Sequence, residues 1–148
     1  MWYMDTLMKN GFEILPDTGD TRMKVWGRTL EELFRAALRG TVFYWRPELL
    51  EVKKKGLKEK KEIKVETVDL TALLIEFLSE VIEEADILNT AFVDVRFKKF
   101  GENFLEGVLY GVKVDGFNKD IKAVSYYEVD IKKNPDTGMY ETTLAFDT

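Results

Sequence analysis

Two aspartates close together in the sequence are the first candidates for a chemical site. Asp17 and Asp20 bracket a tight turn, and carboxylates at this spacing can converge on a hard cation such as Ca²⁺ or Mg²⁺, which takes oxygen ligands. The same four residue types, Pro-Asp-Thr-Gly, recur at positions 135–138, where they predict an ordinary hairpin turn. Spacing alone therefore leaves two interpretations open, a cation site or a plain turn.

Two other charged residues have ordinary explanations when they are considered by position alone. Asp147 lies beside the C-terminus, where chain ends commonly fray. Lys122 lies between Asp120 and the apolar residues Ala123 and Val124, which favours a surface ion pair of little energetic value. Neither residue marks a site without further information.

Composition removes many classes of chemistry. The 148 residues include no histidine and no cysteine, which excludes imidazole general bases, thiolate nucleophiles, disulfides and histidine- or cysteine-ligated metals. The formal net charge of −5 opposes a general nucleic-acid-binding role, so we expect little or no direct binding to nucleic acid. The enrichment in lysine and glutamate, with no glutamine, is typical of proteins from thermophiles.

Membrane and targeting signals are not evident in the sequence. No apolar run approaches the length of about 18 residues that a membrane-spanning helix requires. The first residues lack the basic and apolar regions of a signal peptide, so we expect a cytoplasmic protein without a membrane partner.

A lysine-rich segment interrupts the middle of the chain. Residues 53–64 contain seven lysines and only two glutamates. The simpler interpretation is a solvated loop that leads into an edge strand, where lysines discourage pairing with other strands. The alternative is an electrostatic contact with RNA or an acidic partner, which the absence of aromatic residues within the segment weakens.

The remaining pattern predicts two helices and a series of strands. Thr29 and Asp69 are predicted N-caps, each followed by apolar residues spaced three and four apart, and Pro47 ends the first helix. Alternation and turn residues predict strands at 12–15, 22–26, 62–66, 92–100, 104–114, 121–132 and 139–146. The helices are predicted early in the chain and most strands late, an order that favours an α+β fold. We expect a largely antiparallel sheet with two main helices packed on one face. The chain is long enough for one domain, residues 1–148, in which residues 1–10 are expected to form an N-terminal tail or extension.

Four blocks of the sequence, in order, resemble the archease family. The first is Asp17-Thr18-Gly19-Asp20 with the helix that follows Thr29, and the second is Val68-Asp69-Leu70 with its helix. Lys122-Ala123-Val124-Ser125-Tyr126 is similar to a lysine-alanine-x-threonine-tyrosine strand of that family, and Phe146-Asp147-Thr148 resembles its terminal aspartate followed by one residue. The resemblance extends over nearly the whole chain from about Gly11, and four collinear blocks are more specific than any one of them.

This resemblance implies a cytoplasmic accessory protein for the GTP-dependent RNA ligase of tRNA splicing and RNA repair. Such a protein is not itself an enzyme: it promotes guanylylation of the ligase and multiple turnover, and a tRNA methyltransferase is a second implied partner. The resemblance also implies a divalent metal held by Asp20 and Asp147, with Asp17 as a third candidate ligand. Calcium is the expected ion, with magnesium or manganese as alternatives. Lys122 would keep these carboxylates ionised or point toward the nucleotide region of the ligase.

Departures from the family pattern leave two interpretations open: an active site with a changed metal preference, or a divergent copy that keeps the fold and has lost the ligase. Asp17 and Tyr127 stand where the family usually has histidine, and the loop 115–120 lacks a further family histidine. An aspartate in place of histidine adds an anionic oxygen ligand, which favours hard cations over softer ones. One alternative function is a metal-dependent phosphoester hydrolase, and another is a non-catalytic chaperone or interaction module for a tRNA-modification enzyme.

Overall fold

The computed structural model describes residues 11–16, 21–117, 121–126 and 130–148 of the chain. Within these residues the α-helices are α1 (Leu30–Trp45) and α2 (Leu70–Leu88), and short 3-10 helices lie at Pro47–Glu51 and Lys54–Gly56. The strands are β1 (Phe12–Pro16), β2 (Thr21–Gly27), β3 (Glu59–Glu66), β4 (Thr90–Phe100), β5 (Phe104–Lys113), β6 (Ala123–Tyr126), β7 (Lys132–Lys133) and β8 (Tyr140–Asp147).

Both helices begin at the predicted capping residues. The Thr29 hydroxyl accepts a hydrogen bond of 3.1 Å from the backbone N–H of Glu32, whose carboxylate accepts one of 2.9 Å from the N–H of Arg28. The Asp69 carboxylate accepts a hydrogen bond of 2.8 Å from the N–H of Ala72. These bonds satisfy amides that the first helical turn leaves without partners, so the caps define where each helix begins.

The described strands form two antiparallel sheets. The first sheet has the order β1-β2-β8-β6, with β7 also paired to β8, and the second has the order β3-β5-β4. This arrangement confirms the predicted α+β class with antiparallel strands and two main helices. The division into two sheets is not visible in the sequence, because strands of either sheet show the same alternation of apolar and polar residues.

The core lies between the helices and the two sheets. Phe34 of α1 packs its ring against Phe77 of α2 and against Phe97 and Phe100 of β4, with ring centroids 4.9–6.4 Å apart. The first sheet contributes side chains such as Met23, which is fully buried. One apolar cluster therefore joins both helices to both sheets.

Several strand predictions are confirmed with changed bounds. β3 begins at Glu59 rather than at residue 62, because its backbone pairing with β5 continues as far as Gly111. β3 is also an edge strand, as the lysine-rich segment predicted. The predicted strand 121–132 corresponds to β6 and β7, and residues 127–129 lie outside the described residues.

The second Pro-Asp-Thr-Gly sequence forms the predicted hairpin turn. The Asn134 side chain accepts a hydrogen bond of 2.8 Å from the N–H of Asp136, and Gly138 has a φ of +74°. A positive φ is easily adopted by glycine, which lets the chain return from β7 to β8. This turn is purely local, so Asp136 is a useful comparison for Asp17.

Candidate functional site

The start of β2 and the end of β8 lie side by side in the first sheet. Thr21 is opposite Phe146 in the β2–β8 pairing. Asp20 precedes Thr21 and Asp147 follows Phe146 in the sequence. The C-terminal strand therefore pairs directly with the second strand of the chain. Asp17 and Asp20 themselves lie outside the described residues.

Asp147 and Lys122 are joined through their backbones. β8 pairs with β6 as far as Asp147, which is opposite Ala123. One residue earlier, the N–H of Lys122 donates a hydrogen bond of 2.7 Å to the carbonyl oxygen of Asp147. Both side chains are exposed. The sheet thus fixes the main chain of the predicted lysine and of the predicted terminal aspartate against each other.

The ion pair expected for Lys122 from its position alone is not found within the described part of the chain. No described carboxylate lies within ion-pair distance of its ammonium group. Asp120, its nearest acidic neighbour in the sequence, is among the residues outside the description. The charge of Lys122 is therefore free, among the described groups, to act on a ligand or a partner.

A cavity of about 740 Å³ opens beside Lys122. Its wall carries two carboxylates from α2, Glu83 and Asp86, together with the hydroxyl of Ser79. An aromatic pair closes another side: the rings of Trp45 and Phe117 lie 4.4 Å apart, centroid to centroid. The rest of the lining is Ile82, Asn89, Gly116, Ile121, Ala123 and Val124. One ammonium, two carboxylates and a hydroxyl around an open cavity can hold a polar or charged group by charge and hydrogen bonding.

The acidic residues of α2 act on one another electrostatically. Burial raises the pKa of the Glu80 carboxyl, and the nearby Glu83, Glu84 and Glu76 raise it further. Like charges on successive turns of one helix disfavour full ionisation. Of these acids Glu83 lines the cavity that contains Lys122, whereas Glu84 is paired with Lys61 at 3.9 Å.

The contribution of α2 to this cavity is absent from the sequence-based prediction. Ser79, Glu83 and Asp86 follow one another at spacings of four and three, so they share one face of the helix. That periodicity was available in the sequence, but only the fold reveals that this face meets Lys122. The aromatic pair Trp45–Phe117 joins residues 72 positions apart, which no local pattern could predict.

The metal prediction rests on residues that are mostly outside the description. Within residues 11–16, 21–117, 121–126 and 130–148, no three carboxylates are grouped so that they could hold a metal ion. Asp147 is the one predicted ligand that is described. Its exposed carboxylate suits a hard cation chemically, since such ions take oxygen ligands. The roles of Asp17, Asp20 and Asp147 as metal ligands remain a prediction.

Comparison with known proteins assigns the chain to a family. Residues 12–148 match the model of the Archease protein family. The protein archease of Pyrococcus furiosus is 32% identical over 126 residues, covering 80% of this chain and 86% of that protein. The protein archease of Methanosarcina barkeri is 28% identical over 133 residues, covering 84% and 88% respectively. The chain belongs to the archease family.

Solved structures show the same fold. The solution structure of Methanobacterium thermoautotrophicum protein 1598 matches with a TM-score of 0.71 and 22% identity, covering 94% of this chain and 99% of that one. The crystal structure of a Thermotoga maritima archease, described as a possible chaperone, matches with a TM-score of 0.61 and 21% identity, covering 92% and 96%. None of the described helices is long and apolar enough to cross a membrane.

Proposed function

We propose that this protein is an accessory protein of a GTP-dependent RNA ligase in tRNA splicing and RNA repair. It would promote guanylylation of the ligase and allow each ligase molecule to complete many rounds of joining. The observation that carries the proposal is the backbone hydrogen bond between Lys122 and Asp147, at the sheet edge where β8 ends. Both are motif residues of the family. Membership in the family over residues 12–148 supports the same role.

The same proposal includes a divalent cation bound by Asp20 and Asp147, with Asp17 as a third ligand. Calcium is the expected ion, and magnesium and manganese are the alternatives. The pairing of Thr21 with Phe146 supports this site, because each is the sequence neighbour of one proposed ligand. A bound cation would supply positive charge that holds a turn and the C-terminus in one rigid surface.

Lys122 has a separate role in this proposal. Its ammonium group would stabilise the ionised form of the neighbouring carboxylates, since an opposite charge nearby favours ionisation. Its exposure leaves it able to contact the nucleotide region of the ligase as well. The cavity lined by Glu83, Asp86 and the Trp45–Phe117 pair is the adjoining surface that a partner would cover.

A chaperone or interaction role for a tRNA-modification enzyme, such as a tRNA methyltransferase, is the second candidate. The description of the Thermotoga maritima protein as a possible chaperone favours it. Under this proposal, the aspartates would be structural only. The variant Asp20→Ala would then affect stability at most.

The test is RNA joining by the cognate ligase with RNA in excess over ligase. We expect wild-type protein to raise the number of turnovers and Asp20→Ala to lose that effect. Asp17→Asn and Asp136→Asn form a matched pair, because both replace the aspartate of a Pro-Asp-Thr-Gly sequence. Only the first should reduce activation.

Three results would overturn the proposal. One is that folded wild-type protein leaves ligase turnover unchanged. Another is that Asp17→Asn and Asp136→Asn reduce it equally, which would remove the special role of Asp17. The third is metal-dependent cleavage of phosphoesters by the protein alone, which would indicate the hydrolase function instead.

A further inference from the structure

A second cavity, of about 590 Å³, lies in a surface that is rich in positive charge. Four basic residues line it, Arg35, Lys54, Lys60 and Arg96, and one acidic residue, Asp94. Tyr110, Leu57 and Val95 complete the lining. The local charge is thus +3 on a chain whose formal net charge is −5. We refer to Arg35, Lys54, Lys60, Arg96 and Tyr110 as the basic sheet face.

The second sheet assembles this surface from strands that are distant in sequence. In the pairing of β3 with β5, Lys60 is opposite Tyr110, and in the pairing of β5 with β4, Tyr110 is opposite Asp94. Arg96 lies two residues further along β4, which places it on the same face as Asp94. A single aromatic ring of β5 is therefore surrounded by charges from β3, from β4, from α1 and from the 3-10 helix Lys54–Gly56.

Only one of these cations is neutralised within the described residues. Arg35 forms an ion pair of 3.1 Å with Asp94 and also donates a hydrogen bond of 3.0 Å to the carbonyl oxygen of Val95. No described carboxylate lies within ion-pair distance of Lys54, Lys60 or Arg96. Three cations around one cavity without an acidic partner repel one another, which favours binding of an anion.

The charged surface continues beyond the cavity. Lys53, Lys55 and Lys58 belong to the same lysine-rich segment and are exposed. Lys64 and Lys98, further along the sheet, are paired with Glu106 and Glu62. The unpaired cations are thus concentrated at one end of the second sheet, next to the start of β3.

Tyr110 supplies the aromatic component that the lysine-rich segment itself lacks. The ammonium group of Lys60 lies 5.8 Å from the centroid of the Tyr110 ring, a cation–π distance. In the sequence, the formal net charge of −5 and the absence of aromatic residues within segment 53–64 both weigh against RNA binding. The second observation holds for the segment alone, because the neighbouring strand β5 brings an aromatic ring next to the lysines.

We propose that the basic sheet face binds a single-stranded nucleic acid. The Lys60 ammonium moves from above the Tyr110 ring to a backbone phosphate, Lys54 and Arg96 contact neighbouring phosphates, and one unpaired base stacks on the ring. Cations that follow a backbone and aromatic rings that stack bases are together the recurrent chemistry of single-strand binding. An acidic protein would use the same cations but has no need of an aromatic ring at their centre. This proposal is independent of the ligase and of the aspartate site.

The test is fluorescence anisotropy with the full chain and a labelled single-stranded RNA of about 12 nucleotides, titrated at several salt concentrations. Lys60→Ala/Arg96→Ala should weaken binding roughly tenfold and lower the slope of log K against log salt by about 1.4. Lys132→Ala/Lys133→Ala is the charge-matched control, because Lys132 lies beside Asp69, Glu102 and Asp130 rather than among cations. That control should bind RNA as the wild type does.

Tyr110 gives the second pair of variants. Tyr110→Phe keeps the stacking surface and should retain affinity, whereas Tyr110→Leu should weaken binding about tenfold. Circular dichroism melts of all variants confirm that they are folded. Unlabelled competitors identify the ligand. Single-stranded RNA and single-stranded DNA of the same sequence show which of the two nucleic acids binds more tightly. Duplex RNA and polyglutamate should compete poorly.

The proposal is overturned if folded wild-type protein binds no single strand at low salt. It is also overturned if polyglutamate or duplex RNA competes as well as the single strand while Tyr110→Leu binds normally, which would indicate a plain electrostatic surface for an acidic protein or a duplex. Because the assay contains no ligase, its failure leaves the proposed accessory role untouched.

Discussion

The N–H of Lys122 donates a hydrogen bond of 2.7 Å to the carbonyl oxygen of Asp147. This bond continues the ladder between β6 and β8 by one residue beyond the Ala123–Asp147 pair. Two motif residues that lie 25 positions apart in the sequence are thereby held at one sheet edge. The hydrogen bond uses backbone atoms only, so both side chains remain exposed and available for other contacts.

Replacing Lys122 by proline should separate the backbone role of this residue from its side-chain role. Proline lacks the N–H, so Lys122→Pro removes the donor to Asp147, while Lys122→Met keeps it and removes only the charge. We expect Lys122→Pro to lower the free energy of unfolding by about 1 kcal/mol or more relative to Lys122→Met. Urea denaturation monitored by circular dichroism measures the difference. Equal stabilities would show that the bond contributes nothing.

Calcium should stabilise the folded protein through the proposed aspartate site. An ion present at about 100 times its dissociation constant adds roughly 2.7 kcal/mol, which corresponds to a rise in Tm of about 5 °C or more for a domain of this size. Asp20→Ala should abolish this rise and Asp136→Asn should preserve it. Differential scanning fluorimetry with calcium, magnesium, manganese and a chelator provides the comparison. A rise of the same size in Asp20→Ala would place the ion elsewhere.

The N-cap of α2 should contribute measurably to stability. Asp69 accepts the amide hydrogen of Ala72, and this helix carries Glu83 and Asp86 to the first cavity. Asp69→Ala should cost about 1 kcal/mol, whereas Asp69→Asn should cost much less because asparagine also caps helices well. Chemical denaturation of the two variants tests this. An Asp69→Asn variant as unstable as Asp69→Ala would argue against the cap.

Glu80 should give the protein a pH-dependent component of stability. Because burial and the neighbouring carboxylates raise its pKa in the folded state above the ordinary value of 4.5, the folded protein holds this proton more tightly than the unfolded chain. The resulting stabilisation is fully present below pH 4.5 and is lost as the pH rises through the raised pKa.

Glu80→Gln removes this titration. Its free energy of unfolding, relative to wild type, should therefore increase as the pH rises from below 4.5 to neutral. Denaturation curves at a series of pH values measure the difference, with Glu31→Gln on the exposed side of α1 as the control for loss of a carboxylate. A difference that does not change with pH would contradict the expectation.

Local signals in the sequence were sufficient for the helices and most strands. Thr29 and Asp69 are capping residues whose side chains act within three positions, so their effect can be predicted without tertiary structure. The Asn134–Gly138 turn is similarly local. Four collinear motif blocks then indicated the family, which the family model confirms over residues 12–148.

Local sequence signals do not predict which residues distant in sequence become neighbours in the fold. The division of strands between two sheets depends on pairing such as that of Thr21 with Phe146, which no short pattern contains. The juxtaposition of Lys60 and Tyr110 likewise depends on strand register. The absence of aromatic residues within segment 53–64 describes neighbours in sequence, whereas strand register adds Tyr110 as a neighbour in the sheet.

The most direct test of the proposed accessory role measures covalent attachment of GMP to the cognate ligase, with labelled GTP and without RNA. We predict that wild-type protein and Asp136→Asn increase the labelled ligase, and that Asp147→Asn does not, although all three are folded. If the wild-type protein leaves the labelling unchanged, or if Asp147→Asn stimulates it as strongly as Asp136→Asn, the proposed function of this sheet edge is contradicted.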